Sequence, residues 1–321
     1  MPKTISTLST SSSVLLIGGA GFIGSHLASL LAQNGKAVQV LGRSAPTQAL
    51  LPHVQYIQGD FNDETLLEAL IQGNDEIVHL AYATVPNTSF NDPLLDLNHN
   101  LPPALRLMQL CAKYQKRLVL LSSGGTVYGP SQAAMISENH PTHPISPYGV
   151  TKLTIEHYAY LFSMSHGLDY LCLRPGNPYG PGQLPFRGQG FIATAIALIE
   201  QGKAVPVFGA VGTIRDYLEV SDLTKGILAT MNHGQAGQTY NIGSGIGRSN
   251  KDVLNILAPI VAKIGYEVKI EQLPARPFDV AVNVLDSSKL TKISGWQPHI
   301  PFQDGLESLV NSLLLGQSSK S

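Results

Sequence analysis

Tyr148 and Lys152 are the side chains of this 321-residue sequence whose spacing suggests chemistry most directly. They stand four apart in Ile145-Ser146-Pro147-Tyr148-Gly149-Val150-Thr151-Lys152-Leu153-Thr154-Ile155-Glu156, where a proline-marked turn runs into a helix. On a helix that spacing puts both on one face. An ammonium beside a phenol favours the phenolate and lowers a pKa that is about 10 in the free side chain. A phenol tuned in this way can act as general base toward a hydroxyl proton. An ordinary surface helix carries the same pair, so its meaning depends on the elements that hold it.

The first of those elements is Val14-Leu15-Leu16-Ile17, a continuous apolar run with the pattern of a strand buried on both faces. Gly18, Gly21 and Gly24 follow in a G-x-x-G-x-x-G pattern that opens an apolar-periodic helix. Glycine there permits the tight turn and lets backbone N–H groups approach a pyrophosphate at the helix N-terminus. Strand before and helix after make this a dinucleotide-binding turn. Residues 37–41 give a second strand, ending in Gly42-Arg43-Ser44 where NAD-binding units place a carboxylate for the ribose 2′-hydroxyl. Arg43 either holds a 2′-phosphate, which points to NADP, or lies solvated beside the adenine.

Further strands fall at 54–60, 76–81, 117–123 and 169–175, with helical patterns at 64–72 and at 93–116, the latter interrupted near Pro102-Pro103. Asp60 sits near the adenine or caps a turn, and His79 reads as a core histidine. This alternation predicts an α/β fold: a Rossmann-type doubly wound parallel sheet with ligands beyond the carboxyl ends of its strands. The glycine turn, Ser122 to Thr126 and Asn177 all map to that edge. After Pro175 the chain becomes rich in Gly and Pro and its elements shorten. The expected organisation is a flexible tail at 1–13, a dinucleotide-binding domain at 14–175, a smaller C-terminal α/β substrate domain at 176–315 and a polar tail at 316–321.

Composition narrows the function classes. Hydrophobic residues at 43% and charged residues at 13% describe a globular chain rather than a disordered one. A net charge of −1 and the lack of a basic run give no basis for nucleic acid or a membrane surface as partner. The two cysteines, Cys111 and Cys172, lie in apolar stretches without metal-ligand spacing and read as buried thiols. The first 13 residues lack the apolar core of a signal peptide and no run is long enough to span a bilayer, so the expected location is the cytoplasm.

Taken in order, these segments resemble the extended short-chain dehydrogenase/reductases, in particular the nucleotide-sugar epimerases and dehydratases typified by UDP-glucose 4-epimerase. The resemblance covers about residues 14–309. It rests on the glycine triplet, His79-Leu80-Ala81, Ser122-Ser123-Gly124-Gly125-Thr126-Val127-Tyr128-Gly129, Tyr148 with Lys152, Asn177-Pro178-Tyr179-Gly180-Pro181-Gly182, Arg215-Asp216-Tyr217 and Arg276-Pro277-Phe278-Asp279. It implies that Tyr148 is the base and that Lys152 holds the nicotinamide ribose. The cofactor-facing set is then Gly18, Gly21, Phe22, Ile23, Gly24, Arg43, Asp60, Phe61, Leu80, Ala81, Tyr82, Asn100, Ser122, Tyr148, Lys152 and Pro175, with NAD as cofactor and NADP kept open by Arg43. Asn177, Arg215, Arg276, Asp279 and Asn283 would face a nucleotide-diphosphate sugar. A homodimer through a four-helix interface is also implied, with Leu105, Met108, Tyr158 and Leu161 among its apolar residues.

Two departures bear on chemistry. The family places Ser or Thr where this chain has Gly124, and either Ser123 or Thr126 takes over that hydroxyl, with Thr126 preferred. Val150 replaces a frequent polar residue and is expected to alter the pocket. The Asp-Glu pair of the 4,6-dehydratases and the Glu of the decarboxylases give way to Gly125 and Thr126, which leaves reversible oxidation at the sugar C4. The expected activity is therefore a nucleotide-sugar 4-epimerase. The alternatives are an NADP-dependent nucleotide-sugar reductase on the same fold and a non-catalytic dinucleotide-binding regulator. Asn283, four residues after Asp279, is expected to admit a 2-acetamido sugar where a tyrosine would exclude it.

Overall fold

The apolar run near the start of the chain becomes β1 (Ser13–Ile17). Val14 and Leu16 pack into one helical layer, Leu15 and Ile17 into the other. Burial on both faces is why this run is continuous rather than alternating. The computed structural model describes residues 12–43, 53–275 and 280–315. Ser44, Arg276 and Asp279 lie outside the described residues, as do most of the expected tail at 1–13 and all of that at 316–321.

From β1 the chain runs through α1 (Phe22–Gln33), β2 (Ala37–Gly42), β3 (Val54–Gln58), α2 (Glu64–Gln72), β4 (Glu76–His79), α3 (Pro86–Ser89), α4 (Pro93–Lys113), β5 (Arg117–Leu121), α5 (Pro147–His166) and β6 (Tyr170–Pro175). It continues through β7 (Asn177–Tyr179), α6 (Phe191–Glu200), β8 (Val205–Phe208), β9 (Ile214–Glu219), α7 (Val220–His233) and β10 (Gln238–Ile242). The last part holds β11 (Gly247–Ser249), α8 (Asn250–Ala262), β12 (Ile270–Leu273), β13 (Val282–Asn283), α9 (Ser288–Ser294) and α10 (Phe302–Val310). Seven strands form one parallel sheet in the order β10-β6-β5-β4-β1-β2-β3. Residues of α1 and α7 cover one face, those of α2, α4 and α5 the other. This is the doubly wound sheet that the alternation of elements predicts.

A boundary at Pro175 does not divide the sheets cleanly. After β7, α6, β8 and β9 the chain returns, lays α7 against α1 and adds β10 to β6. That return covers apolar surface that α1 alone leaves open, since Leu223, Ile227 and Met231 complete the layer over Val14 and Leu16. The smaller part outside it has β9 paired with β7, β11 and β13, and a separate β8–β12 pair. Its own core is built from α6, α8 and α10.

Three expectations change at the level of elements. Strands β3, β4 and β5 each end two residues before the predicted limit, because the chain leaves the sheet where the ligand-facing edge begins. Helix α4 runs unbroken through Pro102 and Pro103. Proline's fixed φ suits a helix, and burial of Pro103, Ala104, Leu107 and Met108 offsets the hydrogen bonds its ring removes. Val150 is half-exposed on the outside of α5 rather than in a pocket. Among the described residues no helix is long and apolar enough to cross a membrane.

Candidate active site

The turn from β1 to α1 brings the glycines to the carboxyl edge of the sheet. Gly18 has φ +83°, and a Cβ there would meet the Ala81 backbone nitrogen at 2.7 Å. The turn thus presses against the chain leaving β4, a closeness that only glycine permits. No side chain caps the N-terminus of α1. Its first amides are left to an anionic group, so this turn fits a dinucleotide pyrophosphate.

A cavity of about 850 Å³ starts at this turn and runs across the sheet edge to the smaller part. Gly18, Gly21, Phe22, Ile23, Gly24, Leu80, Tyr82, Ser122, Ser123, Thr126, Tyr148, Lys152, Pro175, Asn177 and Arg215 all line it, as expected from the sequence. Six described candidates do not. Arg43 is exposed beyond β2, where its backbone carbonyl accepts from Gln58 Nε2. Asp60 caps a turn, accepting from the backbone and side chain of Asn62 at 2.8 and 2.9 Å. Phe61 stacks on His79, and Ala81 supports Gly18. Asn100 spends both ends of its amide internally, accepting from Ala83 N and donating to Asp96 O. Asn283 is fully buried and donates from Nδ2 to Gly124 O at 2.9 Å, because β13 pairs with β9 and tucks the amide under the Gly124 turn. It does not reach the cavity as a sugar contact would.

Ser146 caps α5, accepting from Gly149 N, and Pro147 occupies the first turn. Tyr148 and Lys152 therefore start a rigid helix and face the cavity together. Lys152 Nζ donates to Leu121 O at 2.7 Å and lies 4.1 Å from the Tyr82 ring centre and 5.7 Å from that of Tyr148. Burial pushes the Lys152 ammonium down to about 8, opposed by Cys172, Glu156 and Asp96. The Tyr148 phenol moves opposite to the expectation: burial raises it, Asp96 raises it further, and only its hydrogen bond with Ser123 draws it down. The cost of desolvating a phenolate outweighs the nearby ammonium. His79 is buried and neutral, pushed down to about 3 by burial and then by the Lys152 charge.

Ser123 and Thr126, the two hydroxyls expected to stand in for the one absent at position 124, both line the cavity, and Ser123 is the one that draws the phenol down. Thr126 Oγ1 lines the cavity but is buried without a partner. A Cβ at Gly124 would meet Leu285 Cδ1 at 2.6 Å and Pro175 O at 2.9 Å, so no side chain fits there. Ser122 lines the cavity too, yet its hydroxyl donates to Glu156, which is paired with Arg174 in a buried cluster. Arg215 anchors its guanidinium on Ile214 O and Val280 O.

The sequence reading missed Thr84, Gln183, Phe186, Phe208 and Asn250, all of which line the cavity. Gln183 and Asn177 each present a buried, unpartnered oxygen. The Gly- and Pro-rich composition of residues 176–190 marked a loop without giving its direction. The loop crosses toward the nucleotide-binding half, where His26 Nε2 donates to Pro181 O and Asn87 Nδ2 to Gly188 O. Among the described lining residues there is no carboxylate and no imidazole.

Comparison with known proteins agrees with this arrangement. Residues 14–243 match the model of the NAD dependent epimerase/dehydratase family. The UDP-glucose 4-epimerase of Halalkalibacterium halodurans is 30% identical over 318 residues, covering 92% of this chain and 93% of that protein. A dTDP-glucose 4,6-dehydratase from an Actinoplanes species is also 30% identical, over 312 residues, covering 92% and 96%. The crystal structure of the Thermus thermophilus UDP-glucose 4-epimerase in complex with NAD superposes with a TM-score of 0.84 at 31% identity, covering 94% of this chain and 98% of that one.

Proposed function

The chain belongs to the NAD-dependent epimerase/dehydratase family, and from that premise we propose that it is a nucleotide-sugar 4-epimerase. One observation carries the choice. Tyr148, Ser123 and Lys152 all line the cavity, and no carboxylate lines it among the described residues. A 4,6-dehydratase must move a second proton to expel water, and Gly125 and Thr126 offer no acid for that step.

Tyr148 takes the proton of the sugar 4-hydroxyl and later returns it to the carbonyl oxygen formed at that carbon; because burial raises the phenol, this base form depends on the positive charge that Lys152 and a bound nicotinamide would bring to it. Ser123 would hold the phenol oxygen by hydrogen bond and so fix where the proton travels. A nicotinamide dinucleotide, when bound, would supply reversible hydride exchange with C4. The amides at the start of α1 and Lys152 would hold that group, while Arg215 would face the substrate diphosphate. Asn177 and Gln183 present acceptors to hydroxyls of the sugar. NAD is the proposed cofactor. The exposed Arg43 is what would favour NADP and a net reductase instead.

The outer faces of α4 and α5 suggest a homodimer. Leu94 and Met164 are 71% exposed, with Leu97, Tyr160 and Leu161 exposed beside them. Of the four residues first expected there, Leu161 is exposed, Leu105 and Tyr158 are half-buried, and Met108 is in the core.

The test is to incubate the purified protein with UDP-glucose and with UDP-N-acetylglucosamine, adding no cofactor, and to identify what heat denaturation releases. Conversion to the 4-epimer with released NAD is expected. A requirement for stoichiometric NADPH would replace this reading by the reductase, and a dehydrated product by the dehydratase.

A further inference from the structure

Lys152 is a buried ammonium without a counter-ion. It is 8% exposed and takes part in no ion pair among the described residues. The acid one turn further along α5, Glu156, is paired with Arg174 and accepts from Ser122 as well. A buried charge left unpaired is costly. What Lys152 meets, besides the Leu121 carbonyl, is the ring of Tyr82, with Nζ 4.1 Å from its centre. The same ring makes a T-shaped contact with Tyr148 at 4.7 Å between centres. An aromatic face carries negative potential, and a cation on it gains most where water is excluded. The chain around Tyr82 is pinned on both sides. Ala81 N donates to Ile17 O at 3.0 Å, Ala83 N to Asn100 Oδ1 at 2.8 Å, and the Thr84 hydroxyl to Asp96. The ring is therefore held from β1 and α4, independently of the helix that carries the pair.

We propose that Tyr82 is a positioning residue for the reaction at Tyr148: the face of its ring stands in for the counter-ion that Lys152 lacks, and its contact with Tyr148 keeps the phenol beside that ammonium. The charge on Lys152 is then held where burial works against it, since burial pulls the ammonium down to about 8. The other groups around Lys152 leave this task to Tyr82. Glu156 and Asp96 favour the charge without pairing with it, and Asp96 is engaged by the Thr84 hydroxyl. His79 on β4 and Cys172 on β6 stay uncharged, because burial pushes the first down and the second up. The phenols of Tyr82 and Tyr148 are both raised by burial, so neither brings a negative charge of its own.

The measurement follows Lys152 itself. In the full-length protein labelled with carbon-13 at the lysine Cε, its resonance is the one lost in Lys152→Met, and its shift against pH gives the ammonium midpoint. Tyr82→Leu removes the aromatic face and keeps an apolar side chain, and the midpoint is expected to fall by about 0.5–1.5 pH units. Tyr82→Phe keeps the face and removes the hydroxyl, and is expected to leave the midpoint where the wild type has it. If Tyr82→Leu does not fold, Tyr82→Met carries the same expectation. A role in packing alone, or through the hydroxyl, would lower stability without this split between the two variants. An unmoved or raised midpoint in Tyr82→Leu, or an equal fall in Tyr82→Phe, overturns the proposal. With UDP-glucose as substrate, the falling alkaline limb of kcat/KM moves to lower pH with the midpoint in Tyr82→Leu, a loss of about tenfold per unit at pH values above it. In Tyr82→Phe that limb keeps its place. The rate limb rests on the epimerase reading. If UDP-glucose is not converted, that reading fails, and the titration of Lys152 still decides the role of Tyr82.

Discussion

At the scale of single residues, the candidate site depends on a few polar atoms in an otherwise apolar wall. Ser123 draws the Tyr148 phenol down against its burial, and Lys152 is fixed by the Leu121 carbonyl. Tyr148→Phe removes the only atom that enters the proposed proton transfer and leaves the ring packed on Tyr82. Turnover of UDP-glucose is expected to fall by at least about a hundredfold, with the cofactor content of the purified protein unchanged. A Tyr148→Phe enzyme with wild-type rates would remove the tyrosine from the mechanism.

At the scale of elements, the turn after β5 shows why position 124 carries no side chain. Gly124 donates its amide to Pro175 O and accepts from Asn283, and it has no room for a Cβ. Restoring a serine there would not restore the hydroxyl. Gly124→Ser forces apart Leu285 and the Pro175 carbonyl, so we expect a loss of about 1–3 kcal/mol, read as a lower denaturation midpoint, and no gain in activity. A stable, faster Gly124→Ser enzyme would show that the turn can open and that Ser123 is a poor substitute. The identity of the turn's partner in β13 could not be read from the sequence, because Asn283 reaches Gly124 only through the pairing of β13 with β9.

At the scale of the whole molecule, two properties follow from how the layers close. His79 is buried between the sheet and Phe61 and stays neutral. Its ordinary value is 6.5 and its folded value about 3, so below pH 6.5 the unfolded chain binds a proton that the folded one refuses. The contribution to stability is fully present above pH 6.5 and falls by about 1.4 kcal/mol per pH unit toward pH 3. Chemical denaturation at stepped pH is expected to show a shallower acid decline in His79→Leu than in the wild type, and identical slopes would contradict this. The exposed apolar face of α4 and α5 leads to the second expectation: a dimeric mass by light scattering at micromolar concentration, converted to a monomer by Leu161→Glu combined with Met164→Glu. A monomeric wild type would leave that face without the partner proposed for it.

The parallel sheet, the glycine turn and the Tyr148–Lys152 pair were determined by the sequence itself, because each follows from local rules. Two-sided burial makes Val14 to Ile17 continuous, a close backbone approach demands Gly18, and helical geometry places i and i+4 together. What depends on distant parts of the chain was decided only by tertiary structure. The return of β10 to β6 is set by an apolar layer that α1 cannot cover alone. The burial of Asn283 and the continuity of α4 through its prolines each turn on partners far away in sequence. The protonation of Tyr148 is the sharpest case. Spacing puts a cation one helical turn from the phenol, but burial and the charge of Asp96 on a separate helix outweigh it.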